Sequence, residues 1–336
     1  MEEIKRLLPL LCQAPGLPGR EDPVRQVLQQ ELQALGCTVH HSPMGSLWTT
    51  LGQGDGHLLL DAHMDQIGLL VTRVEADGFL RVGKSGGVDR RVLPGTHVTV
   101  YGQEVLQGIV CCLPPHLTDG GGDTVPPVEE MAVDVGLSGE EAARLVHPGD
   151  SVTIPAPVIP LLHNRVTGAA LDDRAGCAVL VRCAQLLAGK KLPQKVTLLF
   201  SSREEVGSQG AETAAFSLRP DRCVAVDVTF ASQPGVSEKE SGELGAGPMV
   251  GIAPVLSRQM ARQLLTLSQR EGIPVQTEVM NGPTGTTADR IMTTGGGVPC
   301  CLLSIPQRSM HTPGEVCDLR DMESAARLLA AYAQEE

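Results

Sequence analysis

The chain contains very few aromatic side chains: one Trp, two Tyr and four Phe, or 2% of its 336 residues. Its core must therefore be built from aliphatic residues and methionine, and stacking platforms for sugar rings are not expected. Basic residues are fewer than acidic ones: the chain has 27 Lys and Arg and 39 Asp and Glu, which give a formal net charge of −12. Nucleic acid is excluded as an expected partner, since phosphate backbones need basic patches.

Long hydrophobic runs are missing as well, and a membrane-crossing helix needs roughly 20 apolar residues. The first residues, Met1 to Arg6, start acidic and lack the basic-then-apolar order of a secretory signal. Ten cysteines are present, but C-x-x-C spacing is absent, which argues against a zinc ribbon or a thioredoxin-type pair. We predict reduced, buried thiols in a cytoplasmic protein without a membrane partner.

The hydrophobic pattern changes twice along the chain. Helical spacing at Glu2–Cys12 and Arg20–Leu35 gives way to short strands and turns between Leu70 and His163. From Leu171 onward, strands and helices alternate. These patterns predict an α/β fold, with a mixed, mostly parallel sheet flanked by helices in residues 1–69 and 163–336. Residues 70–162 are predicted to form an inserted, small, barrel-like all-β domain, with a mobile surface loop at 118–123.

Short motifs of carboxylate and imidazole residues lie at or just after apolar runs. They are His63-Met64-Asp65, Asp172-Asp173-Arg174, Glu204-Glu205, Asp227 and His311. In an open α/β sheet, ligands bind outside the carboxyl ends of the strands, so residues remote in sequence can converge there. Two histidines with several carboxylates are typical ligands of divalent metals.

The first two motifs each have a simpler interpretation. His63 and Asp65 share one face of an extended segment, so Asp65 could orient the imidazole of a metal ligand or only satisfy a histidine at a loop edge. Asp172-Asp173 opens a helix, and one aspartate could be its N-cap. A single cap leaves the other aspartate unexplained, and a carboxylate can bridge two cations.

The remaining motifs also allow two interpretations. Glu204 and Glu205, if extended, project to opposite sides, so that one could bind a metal while the other acts as a general base. They could equally be solvated loop charges. Asp227 ends an otherwise apolar strand, where a buried carboxylate must be paired or bind a cation. His311 alone would be taken as structural, and only the combination of motifs favours a metal site.

Taken together, these motifs resemble the glutamyl-aminopeptidase family of dinuclear metallopeptidases, which includes deblocking and tetrahedral aminopeptidases. The resemblance is carried by Ala14–Gly19, Asp61–Gly68, Gly86–Asp89, Pro114–Leu117, Leu171–Gly176, Glu204–Gly207 and Leu244–Pro248, and by His311 with Glu315. It runs nearly from end to end of the chain. It implies a phosphorylase/hydrolase-like aminopeptidase core with an inserted β domain that serves oligomer assembly.

The resemblance also implies a role for each candidate residue. Two divalent ions per subunit (Zn, Co or Mn) would be bound, one by His63, Asp172 and Asp227 and the other by Asp172, Glu205 and His311. Asp172 would be the bridge, Glu204 the general base, and Asp65 the residue that orients His63. Peptides would be the substrates, and the protein would form a homo-oligomer, often a dodecamer in this family.

The sequence departs from the family pattern near the expected substrate pocket. The family usually has Glu where Gln66 stands, Tyr where Ser309 stands, and Asp where Thr287 stands within Thr286-Thr287-Ala288. We therefore take Thr287, Ser309 and the neighbouring Arg308 as candidate pocket residues that affect which N-terminal residue is preferred.

Two other functions fit parts of the pattern. Paired carboxylates could hydrolyse a glycoside, but that chemistry uses no histidine ligands, and the aromatic residues that usually stack sugars are scarce. A metal-stabilised assembly protein without catalysis would need no general base, so an intact Glu204 argues against it.

Overall fold

The computed structural model describes residues 1–117 and 125–335, and the predicted loop at 118–123 lies outside them. The chain forms two compact units. The first contains Met1–Asp65, Pro157–Met310 and Gly314–Glu336, and the second contains Gln66–Ala156 with His311–Pro313. Both divisions fall a few residues before those taken from the sequence. The second does so because Ile159 and Pro160 pair with Thr167 and Val166 of the first unit.

The described residues contain helices on both sides of a sheet and strands in both units. The helices are α1 (Glu2–Gln13), α2 (Asp22–Ala34), α3 (Gly139–Leu145), α4 (Leu171–Leu187), α5 (Gln209–Leu218), α6 (Arg258–Glu271), α7 (Ala288–Ile291) and α8 (Leu319–Tyr332). The strands are β1 (Val39–His41), β2 (Leu47–Leu51), β3 (His57–His63), β4 (Gly68–Val74), β5 (Leu80–Ser85), β6 (His97–Tyr101), β7 (Val105–Val110), β8 (Ala132–Asp134), β9 (Ser151–Thr153), β10 (Ile159–Pro160), β11 (Arg165–Gly168), β12 (Lys195–Ser201), β13 (Arg222–Phe230), β14 (Met249–Ile252), β15 (Gln276–Val279), β16 (Cys300–Arg308) and β17 (Glu315–Asp318).

The sheet of the first unit follows the order β1-β2-β12-β3-β13-β16-β17-β11-β10, with β14 on β16 and β15 on β14. The central strands β12, β3, β13 and β16 run parallel, whereas β1, β2, β17, β11 and β10 pair antiparallel. The predicted mixed sheet is therefore confirmed, with its parallel part confined to the centre and to the β14–β15 pair. Parallel strands bring their carboxyl ends to one edge, which is where the candidate site lies.

Strand β3 shows why this sheet is covered on both faces. Its side chains alternate, so Leu58 and Leu60 join the core formed with α1, α2, α4, α6 and α8. Leu59 joins a second core with α5 and α7 on the opposite face. A continuous apolar run is the expected sequence of a strand buried on both sides.

The second unit contains a closed antiparallel barrel in the order β4-β5-β8-β7-β6-β9. Alternate residues such as Leu69 and Val71, or Val98 and Val100, point into its core. The predicted small all-β fold is confirmed. In the described part of the chain, no helix combines the length and the apolar content that crossing a membrane requires.

The cysteines are only partly as predicted. All ten are free thiols, and six are buried, but Cys111 and Cys112 are exposed and Cys12 and Cys37 are half-buried. The short β-type run Gln107–Cys112 predicts a strand that includes the exposed pair, whereas β7 ends at Val110. The two cysteines therefore follow the strand instead of lying inside it.

Candidate metal centre

Strands β3 and β13 bring His63 and Asp227 to the same edge of the sheet. They are parallel neighbours, with Asp61 opposite Ala225. Two residues further along each strand, on the same face, stand His63 and Asp227. The Nε2 atom of His63 lies 3.9 Å from Oδ1 of Asp227.

The start of α4 adds Asp172 to this pair. Oδ1 of Asp172 lies 3.0 Å from Nε2 of His63. The backbone N–H of Asp172 donates to Oε2 of Glu315 at 3.2 Å, which fixes the position of this residue. His63, Asp172 and Asp227 are all buried and offer ligand atoms that lie within 4.8 Å of one another. An imidazole and two carboxylates are a donor set that fits a divalent metal.

Asp173, and not Asp172, caps the helix. Asp172 and Asp173 have non-helical backbone angles, so regular helix begins after them. Oδ1 of Asp173 accepts a hydrogen bond from the N–H of Gly176 at 2.9 Å, and Oδ2 accepts one from the N–H of His63 at 3.3 Å. The capping function that the sequence left open thus falls to Asp173, and the carboxylate of Asp172 faces His63.

The electrostatics of the cluster favour a bound cation. Burial raises the pKa of Asp227 well above its usual value; His63 opposes this rise, and the neighbouring acids Asp173, Asp172 and Glu204 add to it. Burial also raises the pKa of Glu204 to about 7. A divalent ion would offset the mutual repulsion of these buried carboxylates, and this observation supports the fit of the residues to a metal.

Asp65 contacts both His63 and the glutamate pair. The sequence predicts that its carboxylate orients the imidazole, but the main chain makes the closer contact. Its carbonyl oxygen, 3.1 Å from Nδ1 of His63, is closer than its carboxylate at 3.6 Å. The carboxylate accepts hydrogen bonds from the backbone N–H groups of Glu204 at 2.8 Å and Glu205 at 3.0 Å. Asp65 is fully buried. It therefore holds the backbone of the glutamate pair while its main chain orients the imidazole.

Replacing Asp65 with Asn should destabilise the protein by about 1–3 kcal/mol, because the new NH₂ group faces a buried backbone donor that then lacks an acceptor. Chemical denaturation would measure this change in the free energy of unfolding. As a control, Asp77→Asn alters an exposed carboxylate with one long bond of 3.5 Å to the N–H of Phe79. Equal stability of the two variants would contradict the anchoring role.

The glutamate pair does not lie in extended chain, which corrects one expectation. Glu204–Val206 is a 3₁₀ turn, and Arg203 before it is left-handed with φ of 61°. Ser208 donates from Oγ to Oε1 of Glu204 at 3.3 Å. The turn forms because Asp65 binds two successive N–H groups, which is a long-range effect and not a local preference.

His311 belongs by its contacts to the second unit. Its backbone is left-handed, with φ of 60°, and its ring packs on Gly87, where a Cβ would come within 2.5 Å of Nδ1. This contact explains why the Gly86-Gly87 motif needs glycine at its second position. That His311 binds a second metal together with Asp172 and Glu205 stays a prediction from the sequence.

The candidate pocket residues are held in different ways. Arg308 donates from Nε to the carbonyl oxygen of Ser232 at 2.7 Å. The N–H of Ser309 donates to Oε1 of Gln233 at 2.9 Å. Thr287 is only 1% exposed, so its side chain contacts the protein interior instead of an open pocket surface.

One buried acid was missed in the sequence. Asp61 is fully buried on β3, and neither carboxylate oxygen has a partner with hydrogen-bond geometry among the described residues. Burial raises its pKa to about 6, although the hydroxyls of Thr287 and Ser201 oppose the rise. The signal that singled out Asp227, an acid inside an apolar strand, applies equally to Asp61.

Gly176→Ala should destabilise the protein, although alanine favours a helix by about 1 kcal/mol. A Cβ at Gly176 would lie 2.4 Å from both carboxylate oxygens of Asp173, so the cap and its bond to His63 would be displaced. A fall in the melting temperature would check this. Gly296→Ala is the matched control, because no heavy atom lies within 4 Å of a Cβ there. A gain in stability at Gly176 would contradict the packing argument.

Comparison with known proteins extends over the whole chain. A family model described as M42 glutamyl aminopeptidase matches residues 45–328. A lysyl aminopeptidase of Pyrococcus furiosus is 30% identical, over 98% of this chain and 96% of its own length. The predicted family resemblance is thereby confirmed.

Solved structures agree with the fold. The TET1 peptidase of Pyrococcus horikoshii, which can assemble into a tetrahedron or a large octahedral shell, superposes with a TM-score of 0.87 at 32% identity, covering 100% of this chain and 99% of that one. A protein of Thermotoga maritima named as an endoglucanase superposes with a TM-score of 0.79 at 27% identity, covering 97% of this chain and 96% of that one. The architecture of a mixed sheet with a separate small barrel is common to these proteins.

Proposed function

The chain belongs to the M42 glutamyl aminopeptidase family, and we propose that it is a metal-dependent aminopeptidase that removes N-terminal residues from peptides. The observation that carries this proposal is the buried cluster of His63, Asp172 and Asp227 at the carboxyl edge of the parallel strands. A cluster of this kind is costly to bury unless it binds a cation or performs chemistry.

We further propose two divalent ions, Zn, Co or Mn, with Asp172 shared between them. His63, Asp172 and Asp227 would hold one ion, and Asp172, Glu205 and His311 would hold the other. When bound, such a pair would lower the pKa of a bound water and polarise the scissile carbonyl. The burial of Asp172 beside His63 and its fixed backbone support its role as the shared ligand.

Glu204 is proposed as the general base. It accepts a proton from the attacking water and delivers it to the departing amine. Its neighbour Glu205 is a proposed ligand, and both are fixed through their N–H groups to Asp65, which also contacts His63. The base and the ligand are therefore positioned by the same buried carboxylate.

The proposed function includes assembly into a homo-oligomer, with residues 70–162 as the oligomerisation domain. A solved relative that can assemble into a tetrahedron supports a homo-oligomer. Leu162, which ends the range taken from the sequence but belongs to the first unit of the structure, is 81% exposed and offers a further surface for association. Exposed apolar side chains of this size mark interaction surfaces when they cluster, and Ile159 and Leu161 nearby are also exposed. A dodecamer is the specific assembly we propose.

Release of amino acids from short peptides tests the activity. We expect turnover of unblocked peptides, none of the same peptides acetylated at the N-terminus, loss of activity with a chelator, and recovery when Zn, Co or Mn is restored. Equal cleavage of acetylated peptides would contradict an aminopeptidase, and chelator-resistant cleavage would contradict the metal centre. A panel of aminoacyl reporter substrates would then define the preferred residue.

Glycoside hydrolysis is a second candidate only because one structural relative is named as an endoglucanase. The geometry does not favour it, since His63 lies between Asp172 and Asp227 and would be unnecessary for a pair of catalytic carboxylates. Release of reducing sugar from a soluble cellulose derivative, by a preparation that leaves unblocked peptides intact, would reverse the preference.

A further inference from the structure

A cavity lies in the first unit, away from the candidate metal centre. It has a volume of about 420 Å³ and opens between α6, the start of β13 and the end of α8. Its lining includes Arg222, Arg258, Arg262, Arg270, Tyr332 and Glu335. Arg222 begins β13 and Asp227 lies five residues further on, which is roughly 16 Å along an extended strand. The two sites are therefore distinct.

The arginines of α6 lie along one face of the helix. Arg258, Arg262, Thr266 and Arg270 follow one another at four-residue steps, which places them on one face of the helix. The next face buries Met260, Leu264 and Leu267 in the core. The helix is thus oriented by its apolar side, and its arginine row is directed towards the cavity.

The charge in the cavity is opposite to that of the chain. Four arginines and one glutamate line it, whereas the whole chain carries a formal net charge of −12. Long-range electrostatics repel anions from such a chain, so an anion binds only where positive charge is concentrated.

Two of the arginines are already fixed. The guanidinium of Arg222 donates to Oε1 of Gln194 at 2.7 Å and lies 5.8 Å from the ring centroid of Tyr332. Arg270 is paired with Glu335 at 2.6 Å and with Glu271 at 3.1 Å. These contacts give the cavity a preorganised wall.

The other two arginines, Arg258 and Arg262, make no such contacts. Within the part of the chain that the structure describes, neither Arg258 nor Arg262 has a side-chain hydrogen bond or an ion pair, and both are exposed. They stand one helical turn apart, so their guanidinium groups can reach one ligand together. Their guanidinium groups are therefore available to a ligand in the cavity.

We propose that this cavity binds a small, multiply charged phosphate compound, such as a polyphosphate or a phosphorylated metabolite of about nucleotide size. Guanidinium groups match phosphate oxygens in pairs, and they do so better than the compact charge of lysine. The volume falls in the range of roughly 300–1,000 Å³ that small-molecule sites occupy. The ligand is held by Arg258 and Arg262, with Arg222 as the fixed opposite wall.

Calorimetric titration of the metal-loaded protein with inorganic pyrophosphate tests the proposal. We expect saturable binding to one site per chain that weakens as salt is added. In Arg258→Gln/Arg262→Gln, binding should weaken by roughly tenfold or more, because two charge-assisted contacts are lost. Arg258→Lys/Arg262→Lys should bind with intermediate affinity, since it keeps the charge but loses the paired geometry.

A matched control removes two exposed arginines elsewhere, as Arg90→Gln/Arg290→Gln, and should bind pyrophosphate as the unaltered protein does. Unchanged binding by the Arg258/Arg262 variants would show that pyrophosphate goes elsewhere, for example to the metal centre, and would overturn the proposal. Equal affinity for the tricarboxylate tricarballylate would overturn the assignment to phosphate. Capture of an acidic peptide or RNA in place of pyrophosphate would overturn the small-molecule ligand.

Discussion

Glu204→Gln should lower kcat by roughly 10²–10⁴-fold, the range that general acid–base groups contribute. Glutamine keeps the size of the side chain and can still accept the hydrogen bond that Ser208 donates at 3.3 Å. What it loses is the ability to take a proton from water. The metal content should stay unchanged, because Glu204 is not among the proposed ligands. Steady-state kinetics on an unblocked peptide, together with metal analysis of the same preparation, would measure both effects.

Glu104→Gln is the matched control for this substitution. Glu104 is exposed in the turn between β6 and β7, so the same chemical change there should leave kcat near that of the unaltered protein. If Glu204→Gln retains activity, the base is another group. If it loses activity and metal together, Glu204 contributes to metal binding, and its assignment as the base is wrong.

Asp227→Asn should have opposite effects on the metal-loaded and the metal-free protein. Burial disfavours the charge of its carboxylate and raises its pKa; the repulsion from Asp173, Asp172 and Glu204 adds to this, and together they outweigh the attraction of His63 when no cation is present. Asparagine removes that repulsion and keeps an oxygen for the N–H of Val228, now bound at 2.8 Å. The metal-free variant should therefore be at least as stable as the unaltered protein.

With metal bound, Asp227→Asn should be less stable than the unaltered protein. Loss of a ligand should reduce metal affinity by more than the 10–100-fold that partners of ligands typically contribute. The stabilisation by added metal should shrink accordingly, since it depends on the ratio of metal concentration to Kd. Melting temperatures with and without metal would show both effects. Asp55→Asn, at an exposed position, is the control. An equal metal-induced gain in Asp227→Asn and the control would exclude Asp227 as a ligand.

The regular parts of the fold follow from local pattern. The run Leu58–Leu60 predicts a strand covered on both faces, and β3 is such a strand. The short β-type run His97–Tyr101 predicts a strand and forms β6, and helical spacing over Ser257–Glu271 predicts a helix and forms α6, with Ser257 as its N-cap. In each case the residues that define the pattern are those that the core buries.

Helix α5 could not be predicted in the same way. Its fully buried residues are only Gly210, Ala211, Ala214 and Ala215, and its large apolar residues, Phe216 and Leu218, are exposed or half-buried, so no row of large apolar residues marks the buried face. The helix is stabilised by close packing of small side chains against the sheet. Pattern analysis depends on large side chains and does not detect such a surface.

In the candidate site, too, some features could be predicted from the sequence and others could not. The residue types near the strand ends were visible, because acids and histidines next to apolar runs are unusual. Which of the two aspartates takes the capping position was not, because the Asp173 carboxylate that caps Gly176 also accepts a hydrogen bond from the N–H of His63, 110 positions away. The turn at Glu204 likewise depends on Asp65. Local propensity contains no information on either contact.

The strand edges have a consequence for the behaviour of the protein at high concentration. Unpaired strand edges are templates for aggregation between chains, and proteins limit this by making them short, interrupting them with proline or closing the sheet. Here the path of the large sheet ends on β1, with three residues, and on β10, with two residues of which one is Pro160, and the branch from β16 ends on β15, with four residues. The barrel closes on itself. All of these open edges are short, so they offer little backbone for edge-to-edge pairing, and we expect the protein to resist amyloid-like stacking at high concentration.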